Sequence, residues 1–167
     1  MTRGPVVWAS QYEVIVLEGC DGVGKTTVAA RLVDAYGYAR VHSGRTPDGV
    51  DLASRYRTIL ARPGKLVLDR SFVSELVYGP LQHGRSRISI AEAASLASII
   101  AEREGVLVHL TGQPEEIAAR LRARDGHSPP LRKIRELLDA YVNAFAALAG
   151  AAPIITTELS KWTNLES

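Results

Sequence analysis

The 167-residue sequence contains little of what marks several classes of protein, and each shortage excludes something. A single cysteine, Cys20, excludes an internal disulfide. The 20 basic and 18 acidic side chains leave a formal net charge of +2, so no broad surface for nucleic acid or a membrane is expected. The four histidines are scattered without the spacing of a metal site. We find no signal peptide, no membrane-spanning apolar run, no internal repeat and no low-complexity tract.

These shortages leave an ordinary globular protein as the expectation. Apolar residues make up 46% of the chain and charged residues 23%, and the length fits a single domain spanning residues 1–167. We expect a cytoplasmic protein with no nucleic-acid and no membrane partner. We expect residues 1–11 to form a loose leader and residues 157–167 to form a polar tail.

Short apolar runs that are typical of buried strands alternate along the chain with segments of helical spacing. Strands are predicted over residues 13–18, 38–42, 65–69, 105–110 and 153–156. Helices are predicted over residues 28–36, 50–60, 71–79, 88–103, 114–124 and 131–148, with Gly79 and Pro80 ending the third of them. The alternation predicts an α/β fold with a parallel sheet of about five strands and helices on both faces.

Residues 19–27, between the first predicted strand and the first predicted helix, read Gly-Cys-Asp-Gly-Val-Gly-Lys-Thr-Thr. Glycines, a lysine and a hydroxyl residue at this spacing and in this context indicate a phosphate-binding loop, and with it a P-loop NTPase fold. Glycines let successive N–H groups point inward, and the helix start adds unpaired N–H groups. Lys25 is expected to reach the β and γ phosphates, and Thr26 to ligate Mg²⁺. The predicted nucleotide-binding residues are Gly19, Gly22, Val23, Gly24, Lys25, Thr26 and Thr27.

Asp69 and Arg70 end the third predicted strand, and ligands of parallel sheets bind at that edge. A carboxylate there can hold Mg²⁺ or orient an attacking oxygen, and an arginine can clamp a phosphate through two parallel hydrogen bonds. We therefore expect Asp69 to form a metal site with Thr26, and Lys25, Asp69 and Arg70 to be catalytic. The two motifs together favour phosphoryl transfer, with ATP and Mg²⁺ as cofactors.

Residues 17–27 resemble the phosphate loop of thymidylate kinases, whose pattern is Glu-Gly-x-Asp-Gly-x-Gly-Lys-[Ser/Thr]-Thr. Residues 69–78 are similar to the Asp-Arg-aromatic-x-x-Ser-x-x-x-Tyr segment of that family, and residues 45–49 more weakly resemble its Arg-Glu-Pro-Gly-Gly loop. The resemblance spans residues 13–156. The arginines that fall where the family's mobile lid begins are Arg120, Arg122 and Arg124.

The resemblance implies a nucleoside monophosphate kinase and a role for individual residues. Asp21 would face the sugar hydroxyl of the acceptor, Arg45 and Arg70 would hold its phosphate, and Tyr78 would pack near its sugar. The lid, about residues 122–130, would fold over the γ phosphate. Family members often dimerise, which adds a homodimer to the expectations. The lid arginines that the resemblance makes catalytic, by neutralising charge during transfer, are Arg120 and Arg124.

The sequence departs from the family pattern around the acceptor. Ser71 stands where the family has an aromatic residue, and only residues 61–64 separate the second predicted helix from the third predicted strand. The long helix with which the family grips thymine is therefore missing or fused into residues 50–62. Arg55 or Arg57 is the substitute contact for the base, and Arg57 is included among the predicted acceptor-binding residues.

The expected activity is transfer of the ATP γ-phosphate to a (deoxy)nucleoside monophosphate in nucleotide biosynthesis. The expected acceptor is dTMP or a related pyrimidine deoxynucleotide. Two alternatives stay open. In the first, the chain is a P-loop kinase whose acceptor is a nucleoside or another small hydroxyl compound, and Asp69 or Asp21 would have to act as a general base. Otherwise the chain is a nucleotide-dependent switch or binding module, which the absence of an Asn-Lys-x-Asp guanine-binding motif disfavours.

Overall fold

The computed structural model describes residues 8–163 and contains one parallel sheet flanked by helices. A 3-10 turn, Ala9–Gln11, precedes the first strand. The strands are β1 (Val14–Glu18), β2 (Ala39–His42), β3 (Leu66–Asp69), β4 (Gly105–Thr111) and β5 (Ile154–Glu158). The helices are α1 (Lys25–Tyr36), α2 (Leu52–Leu60), α3 (Phe72–His83), α4 (Ile90–Glu102), α5 (Pro114–Asp125), α6 (Leu131–Leu148) and α7 (Ser160–Thr163). Within the described residues, none of these helices combines the length and the apolar composition needed to cross a bilayer.

All five strands are parallel, in the order β2-β3-β1-β4-β5, which confirms the predicted α/β architecture. Every residue of β1 is buried, so both faces of this central strand are covered. In the register of the sheet, Leu17 lies beside Asp69 and Glu18 beside His109. The loop after β1 therefore starts next to the carboxyl end of β3, where the sequence places Asp69 and Arg70.

Helix α3 continues through Gly79 and Pro80, so the predicted end at this dipeptide is wrong. The helix reaches His83 and is closed by Gly84 at φ 71°. A Cβ on Gly79 would lie 2.9 Å from the Arg85 carbonyl oxygen, which shows that the glycine is there because the following loop packs against the helix. Pro80 only removes one N–H donor, and one lost bond near the end of a helix does not end it.

The chain ends are more ordered than predicted where the structure describes them. Residues 1–7 and 164–167 of the predicted leader and tail lie outside the described part. In the remainder, the Tyr38 hydroxyl lies 2.6 Å from both the Ala9 and the Tyr12 carbonyl oxygens, and its single proton can be donated to either one. Trp162 of α7 is fully buried and packs edge-on against Trp8 at 5.4 Å between ring centroids. The two ends therefore belong to the folded domain, because their aromatic side chains bury large apolar area.

Candidate functional site

The loop of residues 19–24 turns tightly from β1 into α1. Gly19 has a φ of 156°, and a Cβ there would lie 2.3 Å from the Leu110 carbonyl oxygen, so no larger residue fits. Gly24 is the N-cap of α1 with a φ of 101°, a left-handed conformation that side chains disfavour. The Val23 side chain is fully buried, so this residue can offer a ligand only its main chain. The loop thus brings backbone N–H groups and the positive end of α1 to one point, which suits a phosphate.

Lys25 begins α1 and folds back under this loop. Its ammonium donates to the carbonyls of Gly19 at 2.7 Å and Cys20 at 2.9 Å, and the side chain is buried. Burial, followed by the nearby Arg70 charge, lowers the pKa of Lys25. An ammonium has three donors, so one remains for a phosphate oxygen while the other two anchor the side chain.

Thr26 and Asp69 lie together, in the arrangement that a metal site would require. The Thr26 hydroxyl donates to Asp69 Oδ2 at 3.1 Å, and Arg40 donates to the same oxygen at 2.7 Å. Hydroxyl and carboxylate oxygens suit Mg²⁺, which usually keeps several waters and takes phosphate oxygens. Within residues 8–163 no cluster of three His, Cys, Asp or Glu side chains could hold a metal. The pair therefore fits Mg²⁺ that is shared with a phosphate, and Arg40, which the sequence did not predict, is a competitor for its carboxylate.

Asp21 links the loop to two arginines from distant parts of the chain. Arg124 donates to both of its carboxylate oxygens, at 3.2 and 2.9 Å, and Arg70 Nη2 lies 3.7 Å from Oδ1. The hydrogen bond from Arg124 is the largest cause of a lowered Asp21 pKa. Because Asp21 is only half-buried, these contacts are exchangeable rather than permanent.

Two cavities meet at Asp21 and Arg70. The first, here called the loop cavity, encloses about 470 Å³ and is lined by part of the loop of residues 19–24, the start of α1, Asp69, Arg120 and Arg124. The second, here called the side cavity, encloses about 320 Å³. Beyond Asp21 and Arg70, the side cavity is lined by Ser43, Gly44, Arg45, Thr46, Leu52, Tyr56, Ser71, Ser74, Glu75, Tyr78, Gly79, Gln82, His83 and Arg87.

Most of the predicted acceptor residues lie together in the side cavity. Arg45 and Tyr78 line it, whereas Arg57 is exposed and lies outside its lining. The neighbouring Arg55 instead donates to Thr46 Oγ1 at 2.6 Å and so supports the cavity wall. Sequence reasoning missed Arg87, which binds the Thr46 carbonyl at 2.7 Å; no local pattern marked it, because its partners come from other segments.

The predicted lid arginines differ in where they point. Arg120 donates to the Gly22 carbonyl at 2.8 Å, and Arg124 binds Asp21, so both line the loop cavity. Arg122 is exposed and outside that lining. The connection from Gly126 to Pro130 is short, with Gly126 capping α5 at φ 81°. Arg120 and Arg124 share one helix face at a spacing of four, which explains why both side chains line the same cavity.

Glu18, the last residue of β1, is fully buried and binds the start of α3. Its carboxylate accepts from the Ser71 N–H and hydroxyl at 2.6 and 2.8 Å, and from the Ser74 N–H and hydroxyl at 3.0 and 2.7 Å. Burial raises the pKa of Glu18, and the hydrogen bonds from Ser74 and Ser71 oppose that rise. These bonds tie the end of β1 to the start of α3 and fix the position of Arg70 between them.

No protein-family model and no curated sequence matches this chain. Among solved structures, it is similar to the YorR protein from Bacillus subtilis in complex with phosphorylated GDP, with a TM-score of 0.78, 22% identity, and 90% and 88% of the two chains covered. It is also similar to deoxyadenosine kinase from M. mycoides with bound dATP, with a TM-score of 0.59, 11% identity, and 92% and 95% covered. Shikimate kinase from Acinetobacter baumannii gives a TM-score of 0.52 at 18% identity, with 92% and 87% covered. At these identities the likeness establishes the fold alone: the five-stranded parallel sheet flanked by helices is the fold that this chain shares with these three proteins.

Proposed function

We propose that the protein is a P-loop kinase that transfers the γ phosphate of ATP to the phosphate of a nucleoside monophosphate. The observation that carries the proposal is the junction of the two cavities at Asp21 and Arg70. The loop cavity offers Lys25, the loop amides and the Thr26–Asp69 pair to a magnesium-bound triphosphate. The side cavity offers Arg45, Arg70 and Arg87 to a second anion. The proposed chemistry joins these two anions across the junction.

A phosphate acceptor is favoured over a hydroxyl acceptor because each carboxylate of the two cavities either is paired with donors or has a lowered pKa, which makes it a weak base. Among the described lining residues, the carboxylates are Asp21, Asp69 and Glu75. Asp69 is bound by Thr26 and Arg40, the pKa of Asp21 is lowered, and Glu75 is held by Arg87. A phosphate oxygen is already ionised at neutral pH and needs no base, whereas an alcohol does.

For the acceptor, a pyrimidine deoxynucleotide remains the first choice because of the resemblance of residues 17–27 and 69–78 to thymidylate kinases. YorR, which shares the fold, was solved with phosphorylated GDP. That ligand supports a nucleotide as substrate and makes a guanine nucleotide the first competitor. The homodimer stays a prediction.

The place of each residue in the two cavities indicates its proposed role in phosphoryl transfer. Lys25 and the loop amides would hold the β and γ phosphates, and Arg70 with Arg45 would hold the acceptor phosphate in line. Mg²⁺ held by Thr26 and Asp69 would neutralise charge on the phosphate oxygens. The catalytic gain in such a reaction comes from alignment and from positive charge at the transferring group. The further charges that would reach the γ phosphate come from Arg120 and Arg124.

A panel of acceptors with ATP and Mg²⁺ tests the proposal. All common ribo- and deoxynucleoside monophosphates, the matching nucleosides, and shikimate and gluconate are offered, and ADP formation and product mass are measured. We expect a diphosphate product from one monophosphate, with dTMP or dGMP best. Product from nucleosides or the two acids alone would establish the hydroxyl-acceptor alternative. Slow ATP hydrolysis with no phosphorylated product would favour the switch.

A further inference from the structure

A second basic surface lies between the outer edge of β2 and helix α2 and adjoins the loop cavity at His42. It encloses about 500 Å³, within the range of roughly 300–1,000 Å³ that small-molecule sites occupy. We call it the β2-edge groove. Its lining contains three arginines and one histidine but no carboxylate, which makes it electropositive. The lining residues are Arg40, Val41, His42, Ser43, Val50, Arg55, Thr58, Ile59 and Arg62.

The helix wall of the groove carries a charge at each end. The groove-lining residues of α2 and of the turn after it are spaced by three and four positions, so they share one side of the helix. Arg55 is the first of these residues and Arg62 is the last. Arg62 lies two residues beyond the end of α2, seven positions after Arg55, and at the rise of a helix this interval spans about 10 Å along the axis. Arg55 is fixed by its bond to Thr46, whereas Arg62 is exposed and its side chain has no partner among residues 8–163. This spacing suits an extended anion better than a single phosphate.

The strand wall adds main-chain donors. The N–H groups of Ala39 and Ser43 donate to the Lys65 and Asp69 carbonyls of the neighbouring strand segment. Because N–H groups alternate in direction along a strand, those of Arg40 and His42 face the open edge of the sheet. Sheet edges of this kind can form anion-binding concavities.

Arg40 connects the groove to the metal-binding pair. Its guanidinium is about one-third exposed and lies 2.7 Å from Asp69 Oδ2, the oxygen that also accepts from Thr26. His42 lines both the groove and the loop cavity. An anion in the groove and the Asp69 carboxylate would therefore share one cation.

We propose that the β2-edge groove is a second phosphate site, which binds an extended polyphosphate such as that of a nucleoside triphosphate. The site is distinct from the phosphate loop, and it rests on its own residues rather than on the proposed kinase activity. Its ligand draws Arg40 away from Asp69, so occupancy is linked to the metal-binding pair.

Calorimetric titration with inorganic tripolyphosphate at low ionic strength tests the site, since salt screens exposed charges. The double variant Lys25→Ala, Arg70→Ala lacks the central cation of each of the other two cavities, and one binding site should remain. Adding Arg62→Gln should weaken that site about tenfold or more, because one charge-assisted contact to phosphate is lost. Arg132→Gln, which changes an exposed arginine of α6, should leave the affinity unchanged.

The same titration in the otherwise native chain guards against misfolding of the double variant. There, Arg62→Gln should weaken one tripolyphosphate-binding event about tenfold or more and leave the affinity of the others unchanged. Titrations with dTTP, orthophosphate and a short oligodeoxynucleotide identify the source of the phosphates; we expect dTTP to bind as tripolyphosphate does and orthophosphate more weakly. Affinity that is the same with and without Arg62, or Arg62-dependent binding of the oligonucleotide alone, overturns the proposal. Failure of the acceptor panel leaves these outcomes intact, because none of them measures turnover.

Discussion

Arg70 combines a strained backbone with a charge at the junction of the two cavities. Its φ of 73° is left-handed, a conformation that few side chains adopt, and its guanidinium lies between Asp21 and the side cavity. Such strain persists only when the surroundings impose it, and here the Glu18 bonds to Ser71 and Ser74 do so. The strained backbone is therefore the means by which the arginine reaches the junction of the two cavities.

Substituting Arg70 separates strain from charge. Both Arg70→Ala and Arg70→Gly should raise the KM for the acceptor roughly 10- to 100-fold, since a charged hydrogen bond to phosphate contributes about 1.5–3 kcal/mol. The KM for ATP should change much less. Arg70→Gly should be about 1 kcal/mol more stable than Arg70→Ala, because only glycine adopts this φ without cost. Acceptor titrations and urea unfolding measure the two effects; equal loss for both substrates would contradict the placement of the acceptor in the side cavity.

Lys25→Ala should lower kcat by roughly 10²- to 10³-fold, the usual effect of removing one preorganised donor from a transition state. Stopped assays with saturating ATP and acceptor measure it. Lys133→Ala, which removes an exposed lysine of α6 paired with Glu136, is the matched control and should retain full turnover. Unchanged turnover in Lys25→Ala would exclude the kinase mechanism.

At the scale of elements, the start of α3 depends on a carboxylate from β1. Ser71 is the N-cap of the helix, and Glu18 accepts from the N–H groups and hydroxyls of Ser71 and Ser74. A buried carboxylate is costly unless it is fully bonded, and the unpaired N–H groups of a helix start are suitable donors. Glu18 therefore fixes the end of β1 relative to the start of α3, and with them the position of Arg70.

Ser74→Ala removes the hydroxyl that donates to Glu18 Oε2 at 2.7 Å. We expect the free energy of unfolding to fall by about 1–3 kcal/mol, since a buried carboxylate oxygen loses a partner. Ser95→Ala, at an exposed position of α4, is the control and should change stability by less than about 0.5 kcal/mol. Urea unfolding followed by far-UV circular dichroism compares the two. Equal stability of the two variants would mean that the bond from the Ser74 hydroxyl to Glu18 contributes nothing to the stability of the fold.

At the scale of the whole molecule, the core includes a titratable ring. His109 of β4 is buried, stacks on Phe145 at 4.5 Å between centroids, and its Nε2 has no protein partner among the described residues. Burial lowers the pKa of His109. The folded state therefore binds this proton less readily than the unfolded chain does, and the neutral ring belongs to the packed core.

Stability should consequently depend on pH through this residue. Because the folded pKa is below the ordinary value near 6.5, the free energy of unfolding should fall as the pH drops below about 6.5 and should be constant above about 7.5. His109→Phe removes the titrating group, so its stability should vary less between pH 7 and pH 5. Thermal unfolding across that range measures both slopes. Equal slopes would assign the acid sensitivity to other groups.

The sequence alone was sufficient for a parallel sheet of about five strands, nearly all the helices and the tight glycine-rich turn from β1 into α1, because these depend on spacings of two to four residues and on glycine chemistry within a single turn. It also placed Asp69 and Arg70 at the right edge, since parallel strands present their carboxyl ends together. It could not find Arg40, Arg87 or the pairing of Asp21 with Arg124, which lies 103 residues away in the chain. Only the tertiary structure decided those contacts, because the order of strands in the sheet determines which distant arginine reaches each carboxylate. The same order leaves β2 at the edge, and so creates the groove that no local pattern indicated.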